Sequence, residues 1–167
     1  MFRHIADFEK SWAVESESTL KVLRALSDAS LGQAVAPGGR TLGRLAWHLT
    51  CTLGEMPSRV GLKVDSPPYE AEVPASATAI AAAYEKASRS LLAQIASGGW
   101  SDATLEVEDE MYGQRWKRGF TLTALVQHQI HHRGQMTVLM RQAGLRVPGI
   151  YGPAREEWAG MGMKAEP

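Results

Sequence analysis

The chain has 167 residues, 44% of them hydrophobic, which is enough length and apolar content for one domain with a substantial core. Lysine plus arginine and aspartate plus glutamate both number 18, so the formal charge is zero and the sequence pI near 7.0. Without a basic face to neutralise many phosphates, nucleic acid is excluded as the main partner. No apolar run reaches the length of a bilayer span, and "MFRHIADFEK" carries charges where a signal peptide has its apolar region, so a cytoplasmic location without a membrane partner is expected.

From Arg3 to about Leu26, residues Ile5, Phe8, Trp12, Leu23 and Leu26 recur on one helix face. "APGGR" (Ala36 to Arg40) breaks the chain. Thr41 then offers an N-cap hydroxyl to a second helix with Leu42, Leu45, Leu49, Leu53 and Met56 on one side. Cys51 lies within it and, having no cysteine to pair with, reads as a small core residue. Pro57 should kink or end this helix. "VDSPPYEAEVP" is a linker rich in proline and acid, after which Ser76 caps a third helix with Ile80, Tyr84, Ala87, Leu91 and Ile95 in register. "SGGW" stops it, and "ATLEVEDEMYGQRWKRG" reads as a loop or short hairpin. The fourth helix is expected from about Thr121 to Ala143, with Gly144 as its left-handed terminator and Pro148 just beyond. This pattern predicts an all-α, antiparallel four-helix bundle covering 1–167, with a C-terminal tail from about residue 145.

Three of the five histidines crowd into "LVQHQIHHRGQM" on that fourth helix. At about 100° per residue, with His128 at zero, His132 falls near 40°, Gln135 near −20°, Leu139 near 20° and Leu125 near 60°. His128 and His132 therefore point into the bundle, while His131, near −60°, sits at the margin. An i, i+4 pair of imidazoles can converge on one metal ion, and the same spacing suits two core histidines satisfied by polar neighbours. His48 in "LAWHLT", beside the apolar stripe of the second helix, is the candidate third ligand. Three inward histidines would leave a metal with open positions, as a catalytic site requires.

Polar residues also interrupt the first helix, where Glu15 and Thr19 fall within the apolar stripe and must find partners, line a polar cavity, or snorkel to its edge. Glu55 lies about two turns after His48 on the same side, as a base standing behind the metal ligands or as an exposed partner for Arg59.

The motifs "RTLGRLAWHLT", "HQIHHRGQMTVLMRQAG" and "VPGIYGP", in that order, resemble the DinB/YfiT-like superfamily of metalloenzymes over most of the chain. The resemblance implies a four-helix bundle holding a divalent metal on His48, His128 and His132, with zinc or nickel best suited to the imidazole ligands. It implies no DNA-binding or polymerase activity. Better understood relatives use low-molecular-weight thiols as transferase or isomerase substrates, and dimers are frequent, so a small-molecule substrate and a homodimer are expected. "HHRGQ" also matches the family's pattern. Gln135 could hydrogen-bond a ligand imidazole, and Arg133, near 140°, could pair with an acid of an adjacent helix or lie on the surface. Gly134 could admit a close neighbour, and Tyr151 could lie over the bundle mouth or simply pack its turn. The resulting expectation is a metal-dependent, thiol-dependent S-transferase with Glu15 or Glu55 as acid or base and Gln135 and Tyr151 at the bound cofactor. A metal-dependent hydrolase and a non-catalytic metal-binding or structural bundle are the alternatives.

Overall fold

A computed structural model describes residues 1–164. Its long helices are α1 (Ile5–Arg24), α2 (Leu42–Ser58), α3 (Ala77–Ser97) and α4 (Arg118–Gln142). Residues 165–167, the end of the expected domain, lie outside the described residues.

The local signals act as the sequence predicts. Thr41 Oγ1 accepts from Arg44 N at 3.1 Å and Ser76 Oγ from Ala79 N at 3.3 Å, each satisfying a donor that its helix leaves unpaired. Pro57 occupies the last turn of α2. Gly144 adopts φ +73°, and Leu145 N donates to Met140 O, the Schellman closure that ends α4. The acidic segment before α4 forms an antiparallel hairpin of β1 (Glu108–Met111) and β2 (Gln114–Lys117). Tyr112 and Gly113 at its tip both have positive φ, as a two-residue type I′ turn requires.

Four helices form a bundle around Phe8, Trp12, Leu49, Leu53, Ile80, Tyr84, Leu91 and Met136, all fully buried. Helix direction differs from the sequence expectation. Each of α1 and α2 packs against both α3 and α4, so α1 stands diagonally across from α2. Phe2 N donates to Gly119 O beside the start of α4, while Arg133 reaches Glu15 farther along both helices, so α1 and α4 run parallel. Gly119 is needed there because a Cβ would overlap Phe2 O. Helices α2 and α3 also run parallel, starting near residues 28–31 and ending near Lys63 and Gln94. The antiparallel neighbours are α1 with α3 and α2 with α4.

Parallel neighbours require a connection that travels back along the bundle, and this explains the proline-rich linker. An extended chain rises about 3.1 Å per residue against 1.5 Å in a helix, so residues 59–76 can retrace the length of α2. Asp65 N donates to Ser90 Oγ at 2.8 Å, Trp47 Nε1 donates to Ala71 O at 3.0 Å, and a Cβ on Gly54 would overlap the Ser66 hydroxyl. The linker is thereby laid against the helices, with Tyr69 over His48 at a ring separation of 5.8 Å. No helix among the described residues is long and apolar enough to cross a membrane.

Candidate metal centre

Antiparallel packing of α2 against α4 brings His48, His128 and His132 together. One nitrogen from each lies within 4.8 Å of the other two. His48 Nε2 and His128 Nε2 are 3.1 Å apart, and the ring centroids are separated by 4.5 to 4.9 Å. Bonds of 2.0–2.1 Å at tetrahedral angles would set ligand nitrogens about 3.3 Å apart, close to the separation that His48 and His128 already have.

The imidazoles are suited to ligation electrostatically. Burial, then repulsion from His132 and from Arg40 and Arg44, lowers the His48 pKa to about 4. Burial and the other two histidines lower that of His128 to about 3, and burial also lowers that of His132. All three are neutral at pH 7, with lone pairs available. Gln135 Oε1 accepts from His132 Nδ1 at 2.7 Å, which fixes the tautomer and leaves Nε2 bare for a metal. His128 Nε2 faces His48 Nε2, so with the ring proton on the buried, unpartnered Nδ1 the Nε2 lone pair points into the group. The donor set therefore fits a divalent metal.

Two cavities flank the histidines. One, of about 600 Å³, reaches His48 and His128 and is lined also by Glu55, Arg59, Tyr69, Glu70, Tyr112 and Trp116. The other, of about 530 Å³, reaches His132 and His131 between Val35, Arg40, Leu45, Val138 and Leu139.

Glu55 is both a partner of Arg59, at 2.8 Å, and part of the polar cavity. Its other oxygen accepts from the Tyr112 hydroxyl at 2.7 Å, and the Arg59 guanidinium lies 4.4 Å from the Tyr112 ring centre. Burial, with the Glu55 carboxylate, holds that hydroxyl protonated well above its ordinary range. The hairpin tip is thus tied to α2 at the cavity's edge, which offsets the strain of a tyrosine at φ +54°.

Glu15 and Tyr151 are placed elsewhere, lining neither cavity. Arg133, 2% exposed, donates from Nη2 to Glu15 Oε2 at 2.6 Å and to the Tyr151 hydroxyl at 2.6 Å. Its Nη1 donates to Glu15 O at 3.0 Å and Thr19 Oγ1 at 3.2 Å, while Tyr151 donates onward to Glu15. Arg133 is therefore the interior half of an ion pair, and Tyr151 pins the tail to it. Gly134 has nothing within 4 Å of the position a Cβ would take. Cys51 is buried, and burial raises its pKa, as befits an unreactive core thiol.

Sequence reading overlooks Gln129, which is fully buried, accepts from the Tyr84 hydroxyl at 3.0 Å and donates to Leu49 O at 3.3 Å. Its signal was present: one residue after His128 it falls at about 100°, within the stripe that Met136 and Met140 extend. Tyr69, Tyr112 and Arg40 carry no comparable signal, because they belong to connections without a period.

Comparison with known proteins agrees with this architecture. The profile of the DinB family matches residues 1–166. The chain is 47% identical over 165 residues to a Bacillus subtilis (strain 168) protein described as "Uncharacterized protein YrdA", covering 99% of this chain and 98% of that one. A DinB-like protein of Bacillus cereus ATCC 10987, known from a crystal structure, is 43% identical, with a TM-score of 0.86 over 90% of this chain and 100% of that one. A second DinB-like protein, YjoA of Bacillus subtilis, superposes with a TM-score of 0.68 over 89% of this chain and 99% of that one; at 13% identity it speaks for the fold alone. With a family profile matched along nearly its whole length and a bundle of the same shape, this chain belongs to the DinB family.

Proposed function

We propose that the chain is a divalent-metal-dependent enzyme that joins a low-molecular-weight thiol to a small electrophile, with zinc or nickel held by His48, His128 and His132. The observation that carries this reading is the position of three neutral, converging imidazoles between two cavities of different chemistry. A divalent ion held by these residues would supply Lewis acidity, lowering the pKa of a thiol or water brought to it. The two cavities give two reactants separate approaches to the histidines. In the transfer, a sulfur–carbon bond forms as the bond to the leaving group breaks with its electron pair, and the thiol proton passes to a base. Glu55 is the carboxylate lining the polar cavity with His48 and His128, and it is the base in this proposal. Gln135 holds His132 in the ligating tautomer. Glu15, which lines neither cavity, supports α4 through Arg133 rather than the reaction.

Hydrolysis is the second reading, favoured by the same Glu55, which could take a proton from an attacking water. Metal content and thiol conjugation separate the possibilities. Elemental analysis should find about one divalent ion per chain, lost in His48→Ala, His128→Ala and His132→Ala and kept in His131→Ala. Gln135→Leu should weaken metal affinity about 10- to 100-fold. The metal-loaded protein, given a panel of thiols with monochlorobimane, should accelerate conjugation. Full metal content in His132→Ala would refute the three-histidine site, and metal without conjugation would refute the transferase.

A further inference from the structure

The connection between α1 and α2, a mere break in the sequence, has a defined shape. Gly39 N donates to Ala36 O at 3.0 Å, with Pro37 second in the turn and Gly38 third at φ +74°, the pattern of a type II turn. A bridge between Ala34 and Thr41 closes residues 34–41 into a small hairpin. Its arms place Val35 and Arg40 in the wall of the 530 Å³ cavity, which they share with His132, Gln135, Val138 and Leu139 of α4.

This cavity combines apolar walls with a single permanent charge. Among the described residues, Arg40 is the one arginine in its lining and no carboxylate lines it. Arg40 also has no acidic partner within ion-pair distance among the described residues, unlike Arg59, Arg118 and Arg133. Its charge is felt at the histidines, where it disfavours the protonated form of each. The cavity on the other side has the opposite balance, with Glu55 and Glu70 against Arg59. Anions are therefore attracted to one side of the histidines and discouraged from the other.

We propose that the Arg40 cavity is the subsite for a small amphipathic anion, a monocarboxylate with an apolar body. Its carboxylate pairs with the Arg40 guanidinium, whose planar fork suits two parallel hydrogen bonds to a carboxylate. Its body lies against Leu45, Val138 and Leu139, beside His132. This names the substrate class of the proposed enzyme, and rests on that reading only for what happens at the histidines.

The test is calorimetric titration of the full chain, metal-loaded and after chelation, with 4-phenylbutyrate, 4-phenylbutanamide and 4-phenylbutylamine. The carboxylate should bind about tenfold more tightly than the amide in both forms, and the amine should not bind measurably; tenfold corresponds to about 1.4 kcal/mol. Arg40→Gln, at an exposed position, should bind carboxylate and amide equally, and Arg40→Lys should keep part of the preference. Val138→Asp should weaken carboxylate binding more than tenfold. Circular dichroism of each variant verifies that it is folded. Equal binding of carboxylate and amide by the original chain would overturn the proposal. So would a carboxylate preference that survives in Arg40→Gln or appears only with metal, since either assigns it to another group. Carboxylate preference in a chain that takes up no metal would uphold this subsite and refute the metal reading; metal uptake without the preference would do the reverse.

Discussion

His132 and Arg133 are consecutive residues of α4, both buried, and each belongs to a polar cluster inside the bundle. Around Arg133, positive charge meets negative charge, and Glu15, Thr19 and Tyr151 complete the hydrogen bonding. Around His132, three neutral rings turn nitrogens toward one another, with the Nε2 atoms of His48 and His128 3.1 Å apart. Burial alone does not distinguish the clusters. The difference lies in satisfaction: one closes on itself and holds helices together, whereas the other leaves lone pairs available for something the chain does not supply.

The largest effect should come from breaking the closed cluster. Glu15→Ala leaves the Arg133 charge buried without a counter-ion, at a cost of about 3–5 kcal/mol read from urea unfolding. The double variant Glu15→Leu, Arg133→Met should recover most of that, since two apolar groups need no partners. A loss below about 1 kcal/mol in Glu15→Ala would erase the contrast with the histidines and return Glu15 to consideration as a group kept for chemistry.

Chelation probes the open cluster. The core is apolar and continuous without the ion, so the metal-free protein should keep its helical circular dichroism. Its melting temperature should nevertheless fall, because a metal bound only to the native state stabilises by about 2.7 kcal/mol at a hundred times its dissociation constant. Loss of most helix at room temperature after chelation would make the histidines a structural site.

The smallest effect belongs to a third pairing, His4 with Asp102 at 2.8 Å, where both side chains are more than half exposed. Asp102 also accepts from Ile5 N and so caps α1 from a distant part of the chain. Its hydrogen bond raises the His4 pKa above 6.5, and His4 lowers that of Asp102 below 3.8. The His4 contribution is complete below pH 6.5 and disappears as pH rises through the raised value. The Asp102 contribution is complete above pH 3.8 and disappears as pH falls through the lowered one. The pair is therefore strongest between these limits. NMR titration should place the His4 midpoint above 6.5 and return it toward 6.5 in Asp102→Asn, with little change in unfolding.

Much of the candidate metal centre is legible in the sequence because its decisive relation is local. Residues four apart on a helix share a face whatever surrounds them, so His128 and His132 were paired by spacing, and Gln135 came with them at one turn from His132. His48 stood out by its place beside the apolar stripe of the second helix, and the resemblance added its pairing with the two histidines of the fourth. Arg133 was legible only in part: its angle turned it toward an adjacent helix, but nothing local distinguished Glu15 from the acids of other helices. The sequence reading considered Glu15 for the reaction because a wheel gives the inward direction of a side chain without naming what lies inward.

Four helices, their caps and breaks, and the buried face of each follow from short-range pattern, since periodicity and capping are properties of neighbouring residues. The spatial arrangement and direction of those helices come from packing between distant segments. An apolar stripe packs equally well against a parallel or an antiparallel neighbour, and the long connections that choose between them carry no periodic signal. Setting α1 parallel to α4 gave Arg133 its carboxylate. Laying residues 59–76 back along α2 brought Tyr69 and Glu70 to His48, and folding residues 34–41 into a hairpin placed Arg40 beside His132.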